Sequence, residues 1–155
     1  MTRPLLVLCG VLAAVLASAC RDTKVVTNSY ASLDEARASG ALSAGYLPEG
    51  LPPSAHDIRE AHDPGTSDRW VIFSFPQTER DQLMALLDPV EQSLGGQRVD
   101  VPRRIEWWPP LLRDALDAER IKATGLQTYR SRSGDRLYAV NWSQGRAYIW
   151  TLHAP

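Results

Sequence analysis

The chain has 155 residues, with 17 Lys and Arg against 18 Asp and Glu. That length suits one domain with a real hydrophobic core, and the near-neutral balance, without a basic run, argues against nucleic acid as a partner. The two cysteines, Cys9 and Cys20, fall in the first twenty residues, so the rest of the chain has no thiol chemistry, disulfide or cysteine-based metal site, and no cofactor is expected.

Met1-Thr2-Arg3-Pro4 is a short positively charged start, and Leu5 to Leu16 is an uncharged apolar run. A membrane-spanning helix needs ~20 apolar residues; this run has the length of a signal-peptide core instead, and the small residues Ala17, Ser18 and Ala19 follow it. Leu16-Ala17-Ser18-Ala19-Cys20 reads as a lipobox, with cleavage between Ala19 and Cys20 and a lipid on the Cys20 thiol. Ala17 stands where such boxes more often carry Leu. The expected organisation is a signal peptide at 1–19, a lipidated cysteine and flexible tether at 20–29, and a single domain at 30–155. Cleavage would remove Arg3 and leave 136 residues. Arg21, rather than Asp, after the lipid cysteine favours the periplasmic side of the outer membrane in a host with two membranes. In a host with one, the protein would sit on the outer face of the cell membrane.

Ser32-Leu33-Asp34-Glu35 forms a capping box opening a short helix that Gly40 stops. The proline-rich run 45–53 predicts an extended surface segment, with Tyr46, Leu47 and Leu51 turned inward. Residues 55–62 and 69–75 predict a hairpin, rich in β-branched and aromatic residues about an Asp-Pro-Gly turn. Thr78 to Leu87 predicts a helix, with a further turn at 88–91 ended by Gly95-Gly96. Pro110 is placed to open a helix through Leu116. Residues 126–132, 136–142 and 146–152 predict three strands joined by three-residue turns. A tight last turn sets Val140 opposite Tyr148 and Tyr138 opposite Trp150, with Trp142 and Leu152 completing one aromatic face. The fold class expected is α+β: an antiparallel sheet of about five strands with two or three short helices on one face.

Tyr30…Leu33-Asp34-Glu35-Ala36…Gly40…Gly45-Tyr46-Leu47-Pro48…Leu51-Pro52…Asp57-Ile58…His62-Asp63…Trp70…Phe73…Phe75 resembles bacterial envelope proteins with a YbbD-like head domain, many of them lipoproteins. The spaced Leu-Pro…Leu-Pro…Asp-Ile run is the most specific part, and the likeness covers about a third of the chain. It implies a lipoprotein with a small α+β domain and brings no catalytic residues.

His56 and His62, with Asp57 and Asp63, are the candidate metal ligands. Six residues apart on one strand, the two histidines stand ~20 Å apart, so neither is expected to share an ion with the other. Trp107-Trp108 is the candidate partner-binding pair, since neighbouring side chains on an extended segment point to opposite faces and one indole is then left to stack on a ligand. No Gly-x-Ser-x-Gly elbow or phosphate loop is present. The expected function is therefore a non-enzymatic binding or structural module, attached to the membrane through lipid at Cys20, whose partner is another envelope protein or a glycan. The alternatives are an inhibitor or immunity protein against an envelope-acting toxin and a small metal-dependent hydrolase.

Overall fold

A computed structural model of the chain describes residues 24–152. The expected signal peptide, the cleavage site at Ala19, Cys20 and His153 lie outside the described residues. Seven strands form one antiparallel sheet: β1 (Val26–Ser32), β2 (His56–His62), β3 (Arg69–Ser74), β4 (Leu87–Glu91), β7 (Gln127–Ser131), β8 (Arg136–Asn141) and β9 (Arg146–Thr151). Their spatial order is β1-β2-β3-β9-β8-β7-β4. A two-stranded ribbon, β5 (Arg98–Val99) with β6 (Asp114–Ala115), stands apart from it. Among the described residues there are also three short α-helices: α1 (Leu33–Ala38), α2 (Arg80–Met84) and α3 (Ala118–Ala123).

The class is α+β, as the sequence pattern implies, but the sheet is larger than expected and covered on both faces. The first core gathers Leu33, Ala36, Leu47 and Leu51 from the N-terminal segment over Ile58, Phe73, Tyr138, Val140 and Ile149 of the sheet. The second sets Leu94, Ile105, Trp108, Leu112 and Ile121 against Trp70, Leu137, Ala139 and Trp150 on the other side. Successive strand residues point to opposite faces, so β8 and β9, buried on both sides, supply each core in turn. Burial of Tyr138 beneath the first core pushes its hydroxyl well above the ordinary tyrosine range.

The single aromatic face expected of the last hairpin does not form. Asn141 lies opposite Arg146, Val140 opposite Ala147 and Tyr138 opposite Ile149. The turn is thus one residue longer than expected, with Trp142 inside it, and a one-residue change of register sends alternate side chains to the other face. Tyr138 and Val140 stay in the first core, while Trp150 and the half-buried Tyr148 serve the second. Asn141 builds the turn by accepting from Ser143 Oγ at 2.8 Å and from the Gln144 amide at 3.1 Å.

Three further expectations are corrected. The tether cannot extend to residue 29, because Val26 pairs with His62 and the sheet starts there. Residues 87–91 form an edge strand on β7 rather than a helical turn; Pro89 is tolerated there because an edge strand leaves one row of amides unpaired. The helix at 110–116 is replaced by a single tight turn at Pro110–Leu112, and the helix starts at Ala118. Asp117 caps it, accepting from the Glu119 and Arg120 amides at 3.1 Å each. The capping box at Ser32 is present: Ser32 Oγ accepts from Glu35 N at 3.2 Å, and the Glu35 carboxylate accepts from the Ala31 amide at 2.6 Å.

Gly145 fixes the last hairpin against β3. Its φ is +60°, and its carbonyl accepts the Phe75 amide at 2.8 Å. A Cβ on residue 145 would lie 2.1 Å from the Phe75 carbonyl oxygen. Backbone rather than a flexible side chain blocks the space, so the strands must separate to admit any other residue. Gly145→Ala is expected to cost ~2–4 kcal/mol, read as a lower midpoint in chemical denaturation. An unchanged midpoint would contradict this packing.

Candidate functional site

Trp108, one of the two candidate binding indoles, is a core residue at 1% exposure. Its ring meets Tyr148 and Trp150 edge-on, each at 6.1 Å between centroids, and its Nε1 donates to the Leu112 carbonyl at 2.7 Å. Arg113 then ties the surrounding loop together: Nε donates to the Trp108 carbonyl at 3.3 Å, Nη1 to Val101 at 3.4 Å, and Nη2 to Ile105. Trp107 is half-buried and packs at an angle to Trp108. The pair is therefore the fastening of an irregular loop over the second face of the sheet. The opposite-face argument does not apply, because residues 105–112 run through successive turns and are not extended.

The two candidate histidines are not brought together. His56 is exposed, and its Nδ1 bonds the Ser54 carbonyl at 3.0 Å. Asp57, with φ +49°, marks a shift in the pairing of β2 with β3 just after it. His62 lies at the far end of β2 and is buried. Among the described residues no group of three His, Cys, Asp or Glu side chains is placed to hold a metal ion.

His62 instead belongs to a polar network with Glu60, a carboxylate with no exposed surface. His62 Nδ1 donates to Glu60 Oε1 at 2.7 Å, and Asn28 Nδ2 on β1 donates to Glu60 Oε2 at 2.8 Å. A carboxylate accepts but does not donate, so the imidazole carries a proton on Nδ1. The ring stacks on Tyr46 at 3.7 Å with 12° between planes, and the Arg69 guanidinium stands 5.9 Å over the same tyrosine. The set considered from sequence, His56, Asp57, His62 and Asp63, does not include Glu60. The available signal was parity: residues 60 and 62 of one strand share a face. The network ties edge strand β1 to β2. Glu60→Ala would leave the Asn28 amide and His62 Nδ1 without an acceptor inside the protein, a loss of ~3–5 kcal/mol. Glu60→Gln, which keeps one acceptor oxygen, should cost less. Urea titration of both variants checks the order, and a Glu60→Ala domain as stable as the parent would refute it.

The second face carries a groove where the covering loop stops short of the strand ends. It measures about 1150 Å³. Its lining includes Trp70, Leu137, Trp150 and Leu152 from the sheet and Val101 from the loop. Arg98, held by Asp100 at 3.0 Å and Asp114 at 3.3 Å, stands on the loop side. Arg130 faces it from β7, exposed and without an ion-pair partner among the described residues. Trp70, Leu137 and Trp150 form a buried floor, and Val101 and Leu152 are half-buried beside it. Apolar surface with a few charged groups at the margins is the composition of a ligand groove. The groove lies at the end of the sheet where β1 begins, beside the turn at 63–68 and the end of β9. No sequence signal located it, because its walls come from four separate parts of the chain.

The described residues form a small α+β domain built on an antiparallel sheet, with an open groove and a buried acid–histidine network. Residues 24–74 match the family model of the YbbD head domain, about a third of the chain. That segment is β1, α1, β2 and β3 with the proline-rich run between α1 and β2, and it contains Asn28, Tyr46, Glu60 and His62. Comparison with curated proteins and with solved structures gives no match.

Proposed function

We propose that this protein is a lipid-anchored bacterial envelope protein whose domain is a binding module, not an enzyme, and that it holds an extended partner in the groove of its second face. The groove carries this reading. It is open, it is long enough to involve β3, β7, β8 and β9 together with the 97–102 segment, and it combines apolar walls with charged margins. Such a surface suits an extended polar chain, either a segment of another envelope protein or a glycan strand. The likeness of residues 24–74 to the YbbD head domain supports association with the bacterial envelope. The apolar run ending at Cys20 supports the anchor, and Arg21 supports the outer membrane as its destination in a two-membrane host. From Cys20 to Val25 is five residue steps, at most ~18 Å of extended chain. The groove would therefore stay close to the lipid surface, within reach of membrane-attached partners.

The test is affinity capture from native envelope extract with residues 21–155, which contain both cores entire. Val101→Trp, which fills the groove, and Arg130→Glu, which reverses a charge at its margin, are run beside the parent and Trp107→Ala. A partner retained by the parent and Trp107→Ala but lost about tenfold or more in the groove variants is the expected result, a difference of ~1.4 kcal/mol. Retention by all four, or loss in Trp107→Ala alone, would overturn the assignment of the groove.

A further inference from the structure

The two edges of the seven-stranded sheet are built differently. β4 carries Asp88, Pro89 and Glu91 within five residues, and a register shift interrupts its pairing with β7. Charges, proline and irregular pairing are the means by which sheets discourage further strands from adding. β1 has none of them. It reads Val-Thr-Asn-Ser-Tyr-Ala-Ser, pairs regularly with β2 from Val26 opposite His62 to Tyr30 opposite Ile58, and contains no charged residue, proline or glycine. Among the described residues nothing pairs with its outer edge.

We propose that β1 pairs antiparallel with β1 of a second copy of this chain, about a two-fold axis at Asn28, so that two sheets join into one. The sequence around Asn28 is self-complementary in that register. Val26 of each copy meets Tyr30 of the other, on the face of the first core, where Val26 is 41% exposed and Tyr30 half-buried. Thr27 meets Ser29 on the opposite face, and both are exposed. Apolar–aromatic and hydroxyl pairs are favourable cross-strand partners, and the symmetry makes each occur twice. Charge agrees at the margins. Lys24 comes opposite Ser32 of the second copy, beside the first turn of its α1, where Asp34 and Glu35 stand. No like charges are set against each other. The Asn28 side chains do not compete, because each is already held by its own Glu60. Five paired residues bury less than a standard interface, so the dimer is weak in dilute solution and favoured at high local concentration.

The test uses residues 21–155, which contain no cysteine. Thr27→Cys and Ser29→Cys are prepared separately, and oxidised alone and as an equal mixture, with Val90→Cys on the opposite edge as the control. Residues 27 and 29 face each other across the axis, whereas 27 with 27 and 29 with 29 are displaced along it. The mixture is expected to form disulfide dimers about fivefold or more faster than either variant alone or than the control. A second variant, Thr27→Lys with Ser29→Lys, brings four ammonium groups together and, at high protein concentration where the parent is expected to dimerise, should shift sedimentation from dimer towards monomer while leaving the thermal midpoint in place. A mixture no faster than Val90→Cys would overturn the edge. Homodimers as fast as the mixture would overturn the register, and a sedimentation profile unmoved by the lysines would overturn the pairing. None of these readings depends on the groove, whose ligand capture is measured separately.

Discussion

Asn141 opposite Arg146 is the pairing on which both faces of the sheet depend. Had the hairpin closed one residue tighter, Trp150 would share a face with Tyr138 and Val140, and the second face would lose an aromatic residue that anchors its covering loop. In the observed register Tyr138, Val140, Ala147 and Ile149 complete the first core, and Leu137, Ala139 and Trp150 the second. The longer turn is held from within by Asn141 and from outside by β3, where Gly145 lies against the Phe75 backbone. A glycine is required because the neighbouring peptide occupies the space of a side chain. The left-handed φ adds a further cost for any other residue.

A sheet buried on both faces explains what became of the Trp-Trp-Pro-Pro run. The segment from Leu94 to Leu126 has little regular structure, yet it covers most of the second face. Trp108 supplies the bulk, and Arg113 donates to the carbonyls of Val101, Ile105 and Trp108, which ties the irregular backbone together. The loop does not reach the strand ends beside β1, and the groove remains there. The groove proposed as the binding site lies where the cover ends, and the Trp107–Trp108 pair packs into the cover itself.

Much of the fold was legible in local pattern. The hairpin of β2 and β3, the capping box at Ser32 and the three C-terminal strands all rest on interactions within a few residues, which propensity and turn chemistry reveal. What was not legible depends on long-range pairing. Leu87–Glu91 looks helical by spacing but is claimed by β7, forty residues later. Asn28 and Glu60, thirty-two residues apart, are joined only because β1 lies beside β2. The candidate site suffered most for the same reason. His62 meets Glu60, a residue outside the His56, Asp57, His62 and Asp63 set that the sequence offers, and the groove walls become neighbours only in the closed sheet.

Cross-strand backbone NOEs between β8 and β9 decide whether the sheet is packed on both faces. Contacts are expected between Val140 and Ala147 and between Tyr138 and Ile149, with Tyr138 and Trp150 side chains in separate cores. Contacts pairing Val140 with Tyr148 and Tyr138 with Trp150 would place the aromatic residues on one face, and would contradict both the second core and the groove at its margin.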